Sequence, residues 1–208
     1  MTDAADTARQ VTESIHRLAD SDSQSRTNSA AFLWRVAREL WLPLLNQWQK
    51  DPEFRELSLP VRAESPHAEP RFPAIVAGLA VHPDTFERIR AANNSPKLAD
   101  VPRDQDAKEF ELRIGEMDFD ILTTREPGGS GAIARFLEKF GEGIQQVEIY
   151  VRDVDRATDI LRTRFKLDPV YPATRPGADG TRINFFLVAP PQGKKVLIEL
   201  VETAKKTG

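Results

Sequence analysis

Cysteine is absent from this chain. Its absence excludes disulfides, thiolate metal sites and cysteine nucleophiles together. Histidine is scarce, with only His16, His67 and His82 present. Zinc, iron and copper sites usually draw on two or more imidazoles, and Ser-His-Asp chemistry needs one beside a serine. His16 lies near the N-terminus, His67 in the polar stretch SPHAEP and His82 just before Pro83. Each reads as a solvated or structural side chain. No run of about 18 apolar residues occurs, so no segment reads as membrane-spanning. Neither charge dominates: 29 Lys and Arg stand against 32 Asp and Glu, and the two signs are interspersed. A basic face of the kind that binds nucleic acid is therefore not expected. The N-terminus, MTDAADTARQ, lacks the basic-then-apolar layout of a secretory signal, so a cytoplasmic protein is the expectation.

What remains is a chain of 208 residues, 40% of them hydrophobic. That suits one ordinary domain with an appendage, or two small domains. Residues 1–28 are polar and read as a partly flexible terminus. Val11, Ile15 and Leu18 fall on one helical face, so a short amphipathic helix fits there. Residues 29–50, SAAFLWRVARELWLPLLNQWQK, form the most apolar segment. Phe32, Val36, Leu40 and Leu44 make one stripe, and Trp34, Trp41, Leu45 and Trp48 another. Asn28 or Ser29 suits the N-cap. Pro43 is expected to kink or end the helix near Leu42. A helix with two apolar stripes must bury both, against the main domain or partly in a homodimer contact, where Trp is favoured. Residues 51–72 are rich in proline and charge and read as a strap or linker, with a boundary near Phe72.

Beyond that boundary the pattern changes. Residues 73–81 read as a strand, 83–93 as a helix with Pro83 in its first turn, and 107–115 and 117–124 as a hairpin turning at Gly115-Glu116. Residues 131–140 read as a helix with Gly141 just past its end. The order then repeats. A strand at 143–151 precedes a helix from Val154 to Phe165, capped by Asp153. A short strand from Asp168 to Tyr171 follows, then strands 182–189 and 195–202 joined through PPQGK. Segments 73–124 and 143–202 thus read as two similar βαβββ modules, an α+β fold built on an internal repeat. Their two curved sheets would enclose a cleft.

Glu199 is an acidic residue inside an apolar strand, KVLIELVE. Side chains alternate along a strand, so Gln146 shares a face with Glu148, and Glu199 faces away from Ile198 and Leu200. If the inner faces line the cleft, Asp120, Gln146, Glu148 and Glu199 point into it. Carboxylates gathered there need a hard cation, a proton, or an arginine such as Arg113 or Arg182.

The segments SGAIARFLEKFGEGIQQVEIYV, RPGADGTRINFFLVAP and GKKVLIELVE resemble the vicinal oxygen chelate superfamily (glyoxalase, bleomycin-resistance and dioxygenase proteins). Within it they are most similar to the methylmalonyl-CoA epimerase family. The resemblance covers residues 73–203, is strongest over 128–203 and does not reach 1–72. It implies a two-module cleft holding one divalent metal, with one ligand from each of four strands. By position these ligands fall at Val76, Asp120, Gln146 and Glu199. Val76 cannot ligate, and Gln146 offers a neutral carbonyl where the family has histidine. The oxygen donors that remain suit magnesium, manganese or calcium better than zinc. Epimerisation beside a thioester needs a base and an acid on opposite sides of one carbon, and a positive group for the enolate. The resemblance implies Glu199 for one role and Asp100, in LADVPRDQD, for the other; Gln146, Glu148 and Arg182 are the candidate substrate contacts. Three functions stay open. The first is a small-molecule-binding protein that has lost the histidine-based metal site. The second is a metal-dependent epimerase, isomerase or lyase. The third is a non-catalytic interaction protein using the tryptophan helix.

Overall fold

The computed structural model describes residues 4–58, 75–189 and 195–203. His67, the PPQGK loop and most of the proline-rich strap lie outside the described residues. Helix α1 (Ala4–Arg17) buries Val11 and Ile15, and Leu18 is buried just past its end, so the amphipathic reading holds. Helix α2 (Ser23–Trp48) starts earlier than Asn28. Asp22 caps it, its carboxylate accepting from the Gln24 and Ser25 amides at 3.0 and 3.1 Å. A carboxylate satisfies first-turn donors as well as Asn or Ser does, so the polar run SQSRTNS lies inside the helix. Pro43 does not end α2. Leu44, Leu45 and Trp48 are buried beyond it, and that burial offsets the missing amide. The buried stripe runs through Leu33, Ala37, Trp41, Leu45 and Trp48, while Phe32, Val36 and Leu40 are half-buried. Part of the strap is also helical: α3 (Pro52–Leu57) is capped by Asp51, which accepts from Glu53 and Phe54 amides at 3.0 Å each.

The chain forms two compact units, each assembled from two separate segments. One combines Met1–Arg38 with Ala77–Gln145, the other Glu39–Val76 with Gln146–Gly208. The first unit carries most of β1 (Ile75–Ala80), with α4 (Pro83–Ala92), β2 (Ala107–Ile114), β3 (Met117–Thr124) and α5 (Ala132–Phe140). β3 pairs parallel with β1 and antiparallel with β2. Phe86 of α4 meets Phe110 of β2 edge to face, ring centroids 4.8 Å apart, in the core of this unit. Residues 93–106 are loop with one 3₁₀ turn, Arg103–Gln105, so the first module shows three strands rather than four. Pro96, Pro102 and the left-handed Asn94 and Ser95 interrupt any strand alternation there.

The second unit carries most of β4 (Gly143–Tyr150), with α6 (Val154–Arg164), β5 (Arg175–Pro176), β6 (Arg182–Val188) and β7 (Val196–Glu202). β7 pairs parallel with β4 and antiparallel with β6, and β6 pairs with β5. Asp153 caps α6 as expected, accepting from the Arg156 amide at 2.9 Å. The strand expected at Asp168–Tyr171 is reduced to a single bridge, Pro169 to Phe186, and the edge strand lies at Arg175–Pro176 instead. Pro169 and Pro172 have no amide to give to a ladder. The register sorts the side chains by face. Val147 and Ile149 lie with Ile198, Leu200 and Phe186 on the face that α6 covers, and all five are buried. The α+β class and the glyoxalase-type module are those read from the sequence.

Candidate functional site

Glu148 and Glu199 are register partners on the parallel strands β4 and β7. Neighbouring strands lie about 4.8 Å apart, so the two carboxylates stand side by side on the face turned away from α6. Gln146, two residues before Glu148, joins them. All three are buried, at 6%, 6% and 7% exposure for Gln146, Glu148 and Glu199. The Gln146 Nε2 donates to Glu199 Oε2 at 2.5 Å and to Glu148 Oε1 at 3.2 Å. This face continues onto β6 through Phe185, the register partner of Glu199. The Phe185 ring sits 6.1 Å from Tyr171, and the Arg175 guanidinium lies 4.4 Å over the Tyr171 ring. Phe185 was legible from the alternation of β6. Tyr171 and Arg175 were not, because the chain between Pro169 and Pro176 is irregular.

The remaining expected site residues are Arg182, Asp120, Val76, Arg113 and Asp100. Arg182 does not join Gln146, Glu148 and Glu199. The register pairs it with Glu202, on the face that α6 covers. There its guanidinium meets Asp155 at 2.5 Å and Glu202 at 3.3 Å, and holds the Asp155 carboxyl below the usual carboxylate range, with help from Thr174. Asp120 belongs to the first unit, on β3, where it is 7% exposed and pairs in register with Gly78 and Glu111. Val76 shares that face of β1, two residues before Gly78. Arg113 lies 3.8 Å from Asp118 at the far end of the same hairpin. Asp100 is exposed in the loop between α4 and the 3₁₀ turn.

A metal of the histidine-held kind does not fit these residues. Val76 has no donor atom, and the Gln146 nitrogen that faces the carboxylates is itself a hydrogen-bond donor. Among the described residues, no group of three or more His, Cys, Asp or Glu is placed to hold a metal ion.

A fourth buried carboxylate, Glu142, was not singled out in the sequence. It lies in the Gly-Glu-Gly link between α5 and β4, with Gly141 at φ +71°. Its side chain pairs with His16 Nε2 and accepts from the His82 amide at 2.9 Å, while Thr12 Oγ1 donates to its backbone carbonyl at 3.1 Å. Burial pushes the Glu142 carboxyl up, but the bonds from Thr85, the His82 amide and His16 outweigh it and hold the group below its ordinary value. His16 is thus a structural side chain that ties α1 to the first unit.

No family model matches the sequence, and no curated protein is similar to it. Solved structures are. The methylmalonyl-CoA epimerase of Mycobacterium tuberculosis is 32% identical, the match covering 62% of this chain and 87% of that one, with a TM-score of 0.50. A variant methylmalonyl-CoA epimerase of Streptomyces coelicolor, in complex with 2-nitronate-propionyl-CoA, is 28% identical. That match covers 63% of this chain and 94% of the other, with a TM-score of 0.51. The strand order of the second unit, its matching helix and the relative at 32% identity lead to one conclusion: the chain belongs to the vicinal oxygen chelate superfamily.

Proposed function

We propose that this protein binds a small organic molecule on the Gln146, Glu148 and Glu199 face and acts there without a histidine-held metal. One observation carries the reading: the amide of Gln146 is bonded to both carboxylates at the position where the superfamily resemblance implies an imidazole. Glu199 is the acid–base group, since a carboxylate can take a proton beside a carbonyl and return it. Glu148 and Gln146 orient it and contact the ligand. Phe185 supplies apolar surface on the same face. An acyl-CoA thioester is the first ligand to test, because the Streptomyces coelicolor relative was solved in complex with 2-nitronate-propionyl-CoA.

The test is calorimetric titration of propionyl-CoA into the wild-type chain and a Glu199→Ala variant. Wild type is expected to bind and the variant to lose at least about tenfold in affinity, which is the scale of one charge-assisted hydrogen bond. Equal affinity in the two proteins would remove Glu199 from the site. The likeness to the Mycobacterium tuberculosis epimerase favours a second reading, an epimerase dependent on magnesium, manganese or calcium bound through oxygen. Stoichiometric metal in the purified protein would select it. The tryptophans of α2 do not favour an interaction protein: Trp41 and Trp48 are 4% and 1% exposed, within the fold.

A further inference from the structure

We propose that the Gln146 amide fills the place a cation would take between Glu148 and Glu199, and that residue 146 decides whether this carboxylate pair takes up metal. The inference rests on the metal-free reading above. The amide has two N–H groups and the pair presents two carboxylates, one for each. Its nitrogen lies 2.5 Å from Glu199 Oε2 and 3.2 Å from Glu148 Oε1. Calcium sits about 2.3–2.6 Å from its oxygens and magnesium about 2.0–2.1 Å, so a cation bridging the pair would need the space this nitrogen fills. The amide donates to both acids from its place on β4. A metal would have to displace it and break both bonds. The chain thus keeps the acids in register and closes them to metal with one side chain.

Replacing that side chain should reopen the pair. Gln146→Glu exchanges the donor nitrogen for an oxygen at nearly unchanged volume and gives three carboxylates on one sheet face. Hard cations favour such a set. Gln146→His gives two carboxylates and an imidazole, a set that suits zinc or manganese. The experiment uses the full chain, dialysed against chelator, with Ca²⁺, Mn²⁺ or Zn²⁺ added alone, read by melting temperature and by metal content after gel filtration. Wild type is expected to retain no metal and show no shift. Metal-free Gln146→Glu is expected to melt below wild type, because a third acid repels the pair. Mn²⁺ or Ca²⁺ should then raise it by roughly 5–10 °C at a hundredfold excess over its dissociation constant. Gln146→His should respond most to Zn²⁺, which keeps the proposal testable if the glutamate variant does not fold. Stoichiometric metal on the wild type would overturn the metal-free reading and this inference together. A metal-free wild type with two folded variants that also take none would overturn the inference and leave the reading standing.

Discussion

At the scale of single residues, Glu142 shows how a buried carboxylate stays charged. Its side chain is 5% exposed, and burial alone would raise its pKa. Thr85, the His82 amide and His16 reverse the sign, so the folded-state value lies below the ordinary 4.5. A depressed folded value means stability that is present in full above the unfolded pKa and lost as pH falls through the folded one. Glu142→Gln is therefore expected to cost about 1–3 kcal/mol at neutral pH, with a much smaller difference from wild type near pH 3. Urea unfolding at the two pH values checks this, and an equal deficit at both would contradict it. Arg182 is the contrasting case. It pairs with Asp155 and Glu202 on the helix-covered face, away from Gln146, Glu148 and Glu199 on the other face of the same strands.

At the scale of elements, α2 departs most from simple expectation. A proline in a helix interior removes one hydrogen bond and crowds the preceding turn, at a cost near 3 kcal/mol. The helix nevertheless runs from Ser23 to Trp48. The reason lies past the proline, where Leu44 and Leu45 are buried and Trp48 meets Phe54 edge to face at 5.7 Å. Local propensity lost to tertiary burial. Pro43→Ala is accordingly expected to stabilise the chain, by on the order of 1–3 kcal/mol, read as a higher urea midpoint. A lower midpoint would mean that the proline at position 43 is itself needed for the packing of Trp48. The strands behaved more simply. Alternation put Gln146 and Glu148 on one face because β4 is regular throughout, whereas the irregular run from Pro169 to Pro176 gave no such signal for Tyr171.

At the scale of the whole molecule, the N-terminal helices supply buried side chains to each of the two units. Ile15, Leu18 and Leu33 are fully buried in the first unit, and Leu45 and Trp48 are 1% exposed in the second. A chain beginning at residue 51 is therefore expected to lose both cores and fail to fold, seen as loss of near-ultraviolet dichroism and of soluble protein. A well-folded fragment would show that residues 73–203 suffice alone. The sequence by itself determined the class, the repeated module, nearly every strand and helix of residues 73–203, and the shared face of Gln146 and Glu148. It could do so because these follow from periods of 2.0 and 3.6 residues within single elements. Only the tertiary structure decided which carboxylates meet, that Gln146 points its nitrogen at both, that Arg182 faces the other way, and that α2 survives its proline. Those outcomes depend on strand register and on burial against distant segments, and neither is encoded in the spacing of residues along one element.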